Sequence, residues 1–378
     1  MPLFDGLILA FCIAATSLHL ITIALAIHRC RRTTGPLPAP GGAPAVSLVR
    51  PVCGCDTFEE LTLRSSFELD YPDYELIFCC ATASDPVVGL VRRLIAQHPQ
   101  VKAKILIGNQ PISANPKLNN MVKGWAAARN EWIIFADSNV LMPADYIQRL
   151  LAGWDYDTGI MCSPPIGCHA SGLWAEVECA FLNTYQARWQ YAADTVGFGF
   201  AQGKTMLWRR SDLVQAGGIH ALGAEIAEDA ASTKIVRGLG LRARLVDAPF
   251  GQPLGWRSAK QVWDRQARWS RLRRMTFPAF FLPEVLTGSI VPILAAAYSA
   301  DILELPMATV VAGMALLWFG SEAVLARAAG WQLSPWSPLA WLVRDALLPV
   351  LWVQAWLLDG FSWRGSEIRA EDKKVEAT

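Results

Sequence analysis

The chain has 378 residues, enough for one large domain or two smaller ones, and its 34 Lys and Arg nearly balance 33 Asp and Glu. A net charge of +1 argues against a nucleic-acid binder, and 53% hydrophobic residues with 16 tryptophans argue against an ordinary soluble enzyme. Nine scattered cysteines with no pair or Cys/His cluster at zinc spacing read as reduced, buried thiols in a cytoplasmic compartment.

In chain order, the first element is Leu7 to Ile27, an apolar stretch of 21 residues without a formal charge, long enough to cross a bilayer. The basic cluster HRCRR follows it, at residues 28 to 32. A cleaved leader carries its positive charge before the apolar stretch, so this one reads as a retained anchor, with the chain after it in the cytoplasm. The expected organisation is an anchor over 1–32, a Pro/Gly linker over 33–45, a catalytic α/β domain over 46–255, a basic interfacial helix over 256–276, and membrane segments with a charged tail over 277–378.

Within the α/β domain, AVSLVRP, YELIFCC, KAKILIG, WIIFA and GIMCSP read as strands. The segments VVGLVRRLIAQ, KLNNMVKGWAAA and ADYIQRLLAGW read as helices between them. This alternation predicts a Rossmann-like, mainly parallel sheet covered by helices. No GxGxxG follows the first strand, and the glycines of GFGFAQGKT have the wrong spacing for a phosphate loop, which excludes the corresponding nucleotide folds. Acids nevertheless recur where such sheets bind ligands, beyond the carboxyl ends of the strands: Asp56, Asp85, Asp137 and the pair Glu228–Asp229. Taken singly, each has a bland reading as a turn, an Asx-turn before proline, a strand end or a first-turn helix acid.

Trp256 to Arg274 is strongly basic and carries tryptophans. Part of it reads as an interfacial helix that snorkels its charges to lipid head groups, with Arg271, Arg273 and Arg274 nearest the membrane. Arg265 and Arg268 share one helical face beside Trp269, an arrangement suited to a diphosphate and an apolar acceptor. The stretches 277–299 and 305–326 read as membrane segments. Trp336 to Leu358, interrupted by Arg344 and Asp345, either crosses the bilayer or lies at its interface, so the number of crossings stays open.

Asp85, Asp137, Asp229 and Arg265-xx-Arg268-Trp269 stand in the order D, D, D, RxxRW, which resembles membrane-anchored GT-A glycosyltransferases. The segments SFELDYPDYELIFC, NPKLNN, QAGGI, IAEDAA and WLVRDALL…FSWRG are similar to the ceramide glucosyltransferase family, from about Val46 to Gly365. The resemblance implies a GT-A fold with transmembrane helices, a UDP-sugar donor, a membrane-lipid acceptor and a divalent cation, Mg2+ or Mn2+, with the lipid bilayer as a further partner. It assigns Asp137 to the metal with Asn139 adding a carbonyl oxygen, Asp56 and Asp85 to the nucleoside, and Lys117 to the nucleotide or donor phosphates. Asp229 is then the base, Arg265 and Arg268 close over the diphosphate, and Trp269 shapes the acceptor side. Two departures bear on substrate. The second motif is Asp137-Ser138-Asn139 in place of DxD, and YQARWQ places Gln186 near the position where eukaryotic members carry a histidine. Glucose is the expected sugar, and diacylglycerol or ceramide the expected acceptor. The rivals are a hopanoid-type lipid glycosyltransferase, a polysaccharide synthase, and a catalytically silent nucleotide-binding membrane scaffold.

Overall fold

The computed structural model describes residues 3–31, 35–39, 41–358, 360–363 and 366–369. Arg32 of the basic flank, the linker residues Thr33, Thr34 and Pro40, Arg364 and Gly365 of the FSWRG stretch, and the charged tail from Ala370 onward lie outside the described residues.

The five expected strands form within two residues of their expected limits: β1 Val46–Val52, β2 Tyr74–Cys80, β3 Lys102–Ile107, β4 Trp132–Ala136 and β5 Thr158–Cys162. Six more strands follow that the sequence pattern does not announce, β6 Ile166–Ser171, β7 Thr205–Arg209, β8 Arg242–Leu245, β9 Gly251–Trp256 and the separately paired β10 Gly360–Trp363 and β11 Ser366–Arg369. Seven of these build one sheet in the order β3-β2-β1-β4-β7-β5-β8, while β6 and β9 pair separately. All neighbours in the large sheet run parallel except at β7, which is antiparallel to both β4 and β5. Every residue of β1 is buried, and β4 is buried from Ile133 to Ala136. Near-continuous apolar strands are what a sheet covered on both faces requires. Pro86–Gln97, Pro116–Ala127 and Glu228–Gly238 are among the covering helices. The first two begin with proline after a capping acid or amide, Asp85 and Asn115, whose side chains accept backbone N–H bonds of the first turn.

The chain divides into two units, interleaved in sequence. One comprises residues 32–168, 193–255 and 362–378 and holds the seven-stranded sheet. The other comprises 1–31, 169–192 and 256–361 and is helical. The helical unit thus takes in 169–192, which lies inside the continuous span expected for the α/β domain.

In the helical unit, Leu3–Cys30 and Met307–Ala329 are each long and apolar enough to cross a membrane. The stretch expected to span at 277–299 is two helical pieces, Pro278–Leu286 and Ile290–Ile302, bent by 45° at the break, which together are long and apolar enough for a broken span or a re-entrant loop. Ser337–Leu357 is helical but is not among the candidate spans. Its Arg344 and Asp345 are buried against Glu322, so these charges turn inward within the unit. The basic helix Ala259–Thr276 starts at a capping box, in which Ser258 Oγ accepts from Gln261 N and Gln261 Oε1 accepts from Ser258 N.

Candidate active site

The sheet's topology assembles the site. β4 ends at Ala136 and delivers Asp137 at its carboxyl end; antiparallel β7 begins at Thr205, paired with Ala136. Lys204 therefore stands directly beside Asp137, and the Asp137 N–H donates to the Lys204 carbonyl at 3.0 Å. The turn after β4 is held from below by Arg50, wholly buried in β1, whose guanidinium donates to the carbonyls of Asp137, Ser138 and Val140 at 2.7–3.1 Å. Arg50 also donates to the Thr62 carbonyl and to Ser66 Oγ. Five carbonyl and hydroxyl acceptors on one guanidinium fix the loop that carries Asp137.

The Asp137 carboxylate takes one ammonium on each oxygen: Lys117 Nζ at 2.6 Å from Oδ1 and Lys204 Nζ at 2.7 Å from Oδ2. Lys117 also reaches Glu228 Oε1 and the Gly203 carbonyl, both at 2.5 Å. The other oxygen of Glu228 accepts from Asn115 Nδ2 at 2.6 Å. Burial works to raise the Asp137 pKa, but the charges of Lys117 and Lys204 outweigh it and hold the carboxyl well below the usual range. Burial likewise favours a neutral Lys117, and Asp137 and Glu228 overcome it, so its pKa is raised.

Asp229 sits in the first turn of the Glu228–Gly238 helix. Its Oδ2 accepts from Gly203 N at 3.1 Å and its Oδ1 from Ala230 N at 2.8 Å. Burial and the neighbouring Glu228 charge push its pKa up to about 6, against the opposing pull of Lys117 and the two N–H donors. A buried carboxyl poised near neutrality is suited to accept a proton. Gly203 makes the approach possible, because a Cβ there would lie 2.8 Å from Glu228 Oε1 and 3.2 Å from Asp229 Oδ2.

Of the residues singled out from sequence, Lys117, Asp137, Asn139 and Asp229 converge on this cluster. Asn139 Oδ1 is 3.4 Å from Lys204 Nζ. Asp85 lies at another turn, where it caps the Pro86 helix through Val87 N at 2.9 Å and accepts from Gly54 N at 2.9 and 3.0 Å. Its Asx-turn reading is therefore realised. Asp56 is exposed near the same turn and accepts from Thr57 N. Lys204, Arg50, Asn115 and Gln252 were missed. Gln252 is buried, and neither polar atom of its side-chain amide has a hydrogen-bond partner among the described residues. It lines a small recess with Lys204, Thr205, Val140, Ser163 and Phe250. The one signal for Lys204 lay in GFGFAQGKT, where the lysine was weighed only as part of a phosphate loop.

The whole sequence, from residue 9 to 375, matches Glycosyl transferase family 21. The chain belongs to that family. It is 27% identical over 376 residues to ceramide glucosyltransferase 1 of Caenorhabditis elegans, covering 97% of this chain and 80% of that one. It is 30% identical over 207 residues to the ceramide glucosyltransferase of Komagataella phaffii, covering 47% and 39%. Among solved structures, a mannosyltransferase from Pyrobaculum calidifontis, in complex with GDP-Man and Mn2+, superposes with a TM-score of 0.50 at 17% identity, over 90% of this chain and 99% of that one. The fold is GT-A, and the protein is a membrane-associated glycosyltransferase.

The RxxRW residues of this family 21 enzyme belong to the helical unit. Arg265 Nη1 pairs with the buried Glu178 carboxylate, and Arg268 and Trp269 are partly buried on the same helix. Gln266 between them accepts from Gln186 Nε2 at 3.2 Å. Arg273 was expected among lipid head groups. It is instead clamped in two-pronged fashion by Glu284, Nε to Oε1 at 2.8 Å and Nη2 to Oε2 at 2.9 Å. No disulfide forms among the described residues, but Cys53 and Cys55 are exposed, contrary to the expectation that the thiols are buried.

Proposed function

We propose that this enzyme transfers glucose from UDP-glucose to the hydroxyl of a membrane lipid, ceramide or diacylglycerol, with inversion at the anomeric carbon. The observation that carries the reading is Asp229, a carboxyl raised to about 6 beside a lysine-neutralised acid cluster at the ligand end of the sheet. Asp229 takes the proton of the lipid hydroxyl as that oxygen attacks the anomeric carbon. The bond from that carbon to the phosphate oxygen breaks, and its electron pair leaves with UDP. Attack from the face opposite UDP turns an α-linked donor into a β-linked product.

The leaving diphosphate needs positive charge. Lys117 and Lys204 are balanced by Asp137 and Glu228, so they bring no surplus. Arg265 and Arg268 are proposed to close on the diphosphate, with Trp269 at the acceptor and Asp56 and Asp85 towards the nucleoside. The oxygen donors Asp137 and Asn139 suit a hard cation, Mg2+ or Mn2+, which when bound would supply charge to the diphosphate. The structural neighbour from Pyrobaculum holds Mn2+ with its nucleotide sugar, which supports a divalent cation in general.

The test uses full-length enzyme in detergent with UDP-glucose and each of ceramide, diacylglycerol and a hopanoid. UDP release with a β-glucolipid seen by mass spectrometry and anomeric NMR is the expected result. UDP binding without turnover on any lipid would favour the scaffold reading. For topology, we propose that the sheet unit is cytoplasmic. An impermeant thiol reagent on intact cells should then leave exposed Cys53 and Cys55 unlabelled until the membrane is opened; Cys162 is buried and would report nothing.

A further inference from the structure

The two lysines on Asp137 are not equivalent. Lys117 is locked by three partners at 2.5–2.6 Å: Asp137, Glu228 and the Gly203 carbonyl. Lys204 Nζ lies 2.7 Å from Asp137 Oδ2 and 3.4 Å from Asn139 Oδ1. Those two oxygens are the donors proposed for the divalent cation, so the Lys204 ammonium and the cation claim the same pair. A unit charge 2.7 Å from Asp137 opposes a second cation there by simple repulsion.

The root of Lys204 is fixed, because its carbonyl accepts from Asp137 N and the next residue is paired in the sheet. Only the flexible four-carbon stem can move. It lines a recess shared with Gln252, whose side chain is 2% exposed and whose Oε1 and Nε2 both lack a partner among the described residues. An amide buried with nothing to bond is costly and points to a partner in another state. An ammonium has three donors and no acceptor, so the Gln252 carbonyl oxygen is a suitable place for it.

We infer that Lys204 is an internal counter-ion with two seats: Asp137–Asn139 when no divalent cation is present, and the Gln252 carbonyl when a cation takes that pair. This rests on the proposed cation site and extends it. Metal binding is then an exchange of one cation for another, and the strength of the Lys204 hold sets the metal concentration the enzyme needs.

The experiment is Mn2+ titration of the full-length enzyme in detergent, without nucleotide, followed by electron paramagnetic resonance. Lys204→Met removes the competitor and should tighten Mn2+ binding about tenfold or more. Gln252→Leu removes the second seat and should weaken Mn2+ binding in the wild type but have no effect in the Lys204→Met background. Unchanged or weaker binding in Lys204→Met, or an equal Gln252→Leu effect in both backgrounds, overturns the inference. A second measurement needs no variant: with an amine-reactive probe read by mass spectrometry, Mn2+ should change the labelling rate of Lys204 and leave Lys117 as it was. Identical Lys204 rates with and without Mn2+ would also overturn it. A separate titration with UDP tests the donor assignment, so failure of one can be told from failure of the other.

Discussion

Each unit of this molecule gathers a cluster of charged side chains, fully buried in the helical unit and partly buried in the sheet unit, and the two are built to opposite ends. In the helical unit, Arg344 donates to both Glu322 oxygens at 2.8 and 2.9 Å and to Asp345 at 2.8 Å. Thr184 adds a hydroxyl to Glu322, and Ser289 N caps the second Asp345 oxygen. Arg344, Glu322 and Asp345 are all at most 2% exposed. A π-helical turn at Phe181–Ala187 lies in the helix that brings Thr184 to this network, and Arg188, one residue later, bonds Thr184 and Thr22. In the sheet unit, the Asp137 cluster balances two lysines against two acids and then adds Asp229, whose ionised form has no cation of its own. The first cluster spends its polar groups on one another and fixes helices. The second leaves the Asp229 carboxylate without an ion pair among the described residues, as its proposed role of proton acceptor requires. Charges buried for architecture close on themselves, whereas charges gathered for chemistry leave one group out of balance.

That contrast breaks most visibly at Arg344. Replacing it with Met strands two carboxylates in the helical unit, and breaking a buried pair in this way costs about 3–5 kcal/mol. The melting midpoint of the detergent-solubilised enzyme should fall sharply; an unchanged midpoint would mean that the cluster is not a structural clamp. At Asp229 the outcome should reverse. Asp229→Asn keeps the shape but cannot take a proton, so turnover should drop about 100-fold or more with UDP-sugar binding and melting point nearly intact. Near-normal turnover would place the base elsewhere.

The pH dependence sharpens the same point. Asp229 works as the base only when ionised, and its pKa is raised to about 6. kcat/KM should therefore fall about tenfold per pH unit below that value and level off above it. The acid limb should vanish in Asp229→Asn, and a limb that persists there belongs to another group. The smallest effects separate the arginines of the basic helix. Lys at Arg265 or Arg268 keeps the charge but loses the planar fork, and should lower turnover about tenfold without loss of membrane retention. Lys at Arg273 should lower the melting point, since it breaks the two-pronged Glu284 clamp. Arg271→Lys should change turnover about twofold at most, because its buried guanidinium bonds the Gly360 carbonyl and, among the described residues, no carboxylate. Equal tolerance at Arg265, Arg268 and Arg271 would leave RxxRW as a lipid-facing stretch.

Much was legible without coordinates. Apolar runs at strand length announced β1 to β5, and the long apolar helix near the amino terminus followed from length and lack of charge. An acid at a strand end singled out Asp137, an acid pair opening a helix singled out Asp229, and Pro with a preceding Asp or Asn marked two helix starts. β8 was missed because its four residues, RARL, carry two arginines and look like loop. β7 was missed because its lead-in resembled a phosphate loop.

The sequence by itself therefore determined the fold class, the long apolar helix near the amino terminus and the order of the acid motifs, because these depend on local hydrophobic patterning and residue type. Only the tertiary structure decided which charges meet. The antiparallel insertion of β7 beside β4 puts Lys204 against Asp137, separated by 67 residues in the chain. The packing of Glu228 on Lys117 bridges 111. Pairings across such distances are fixed by strand register and desolvation, which no local spacing records.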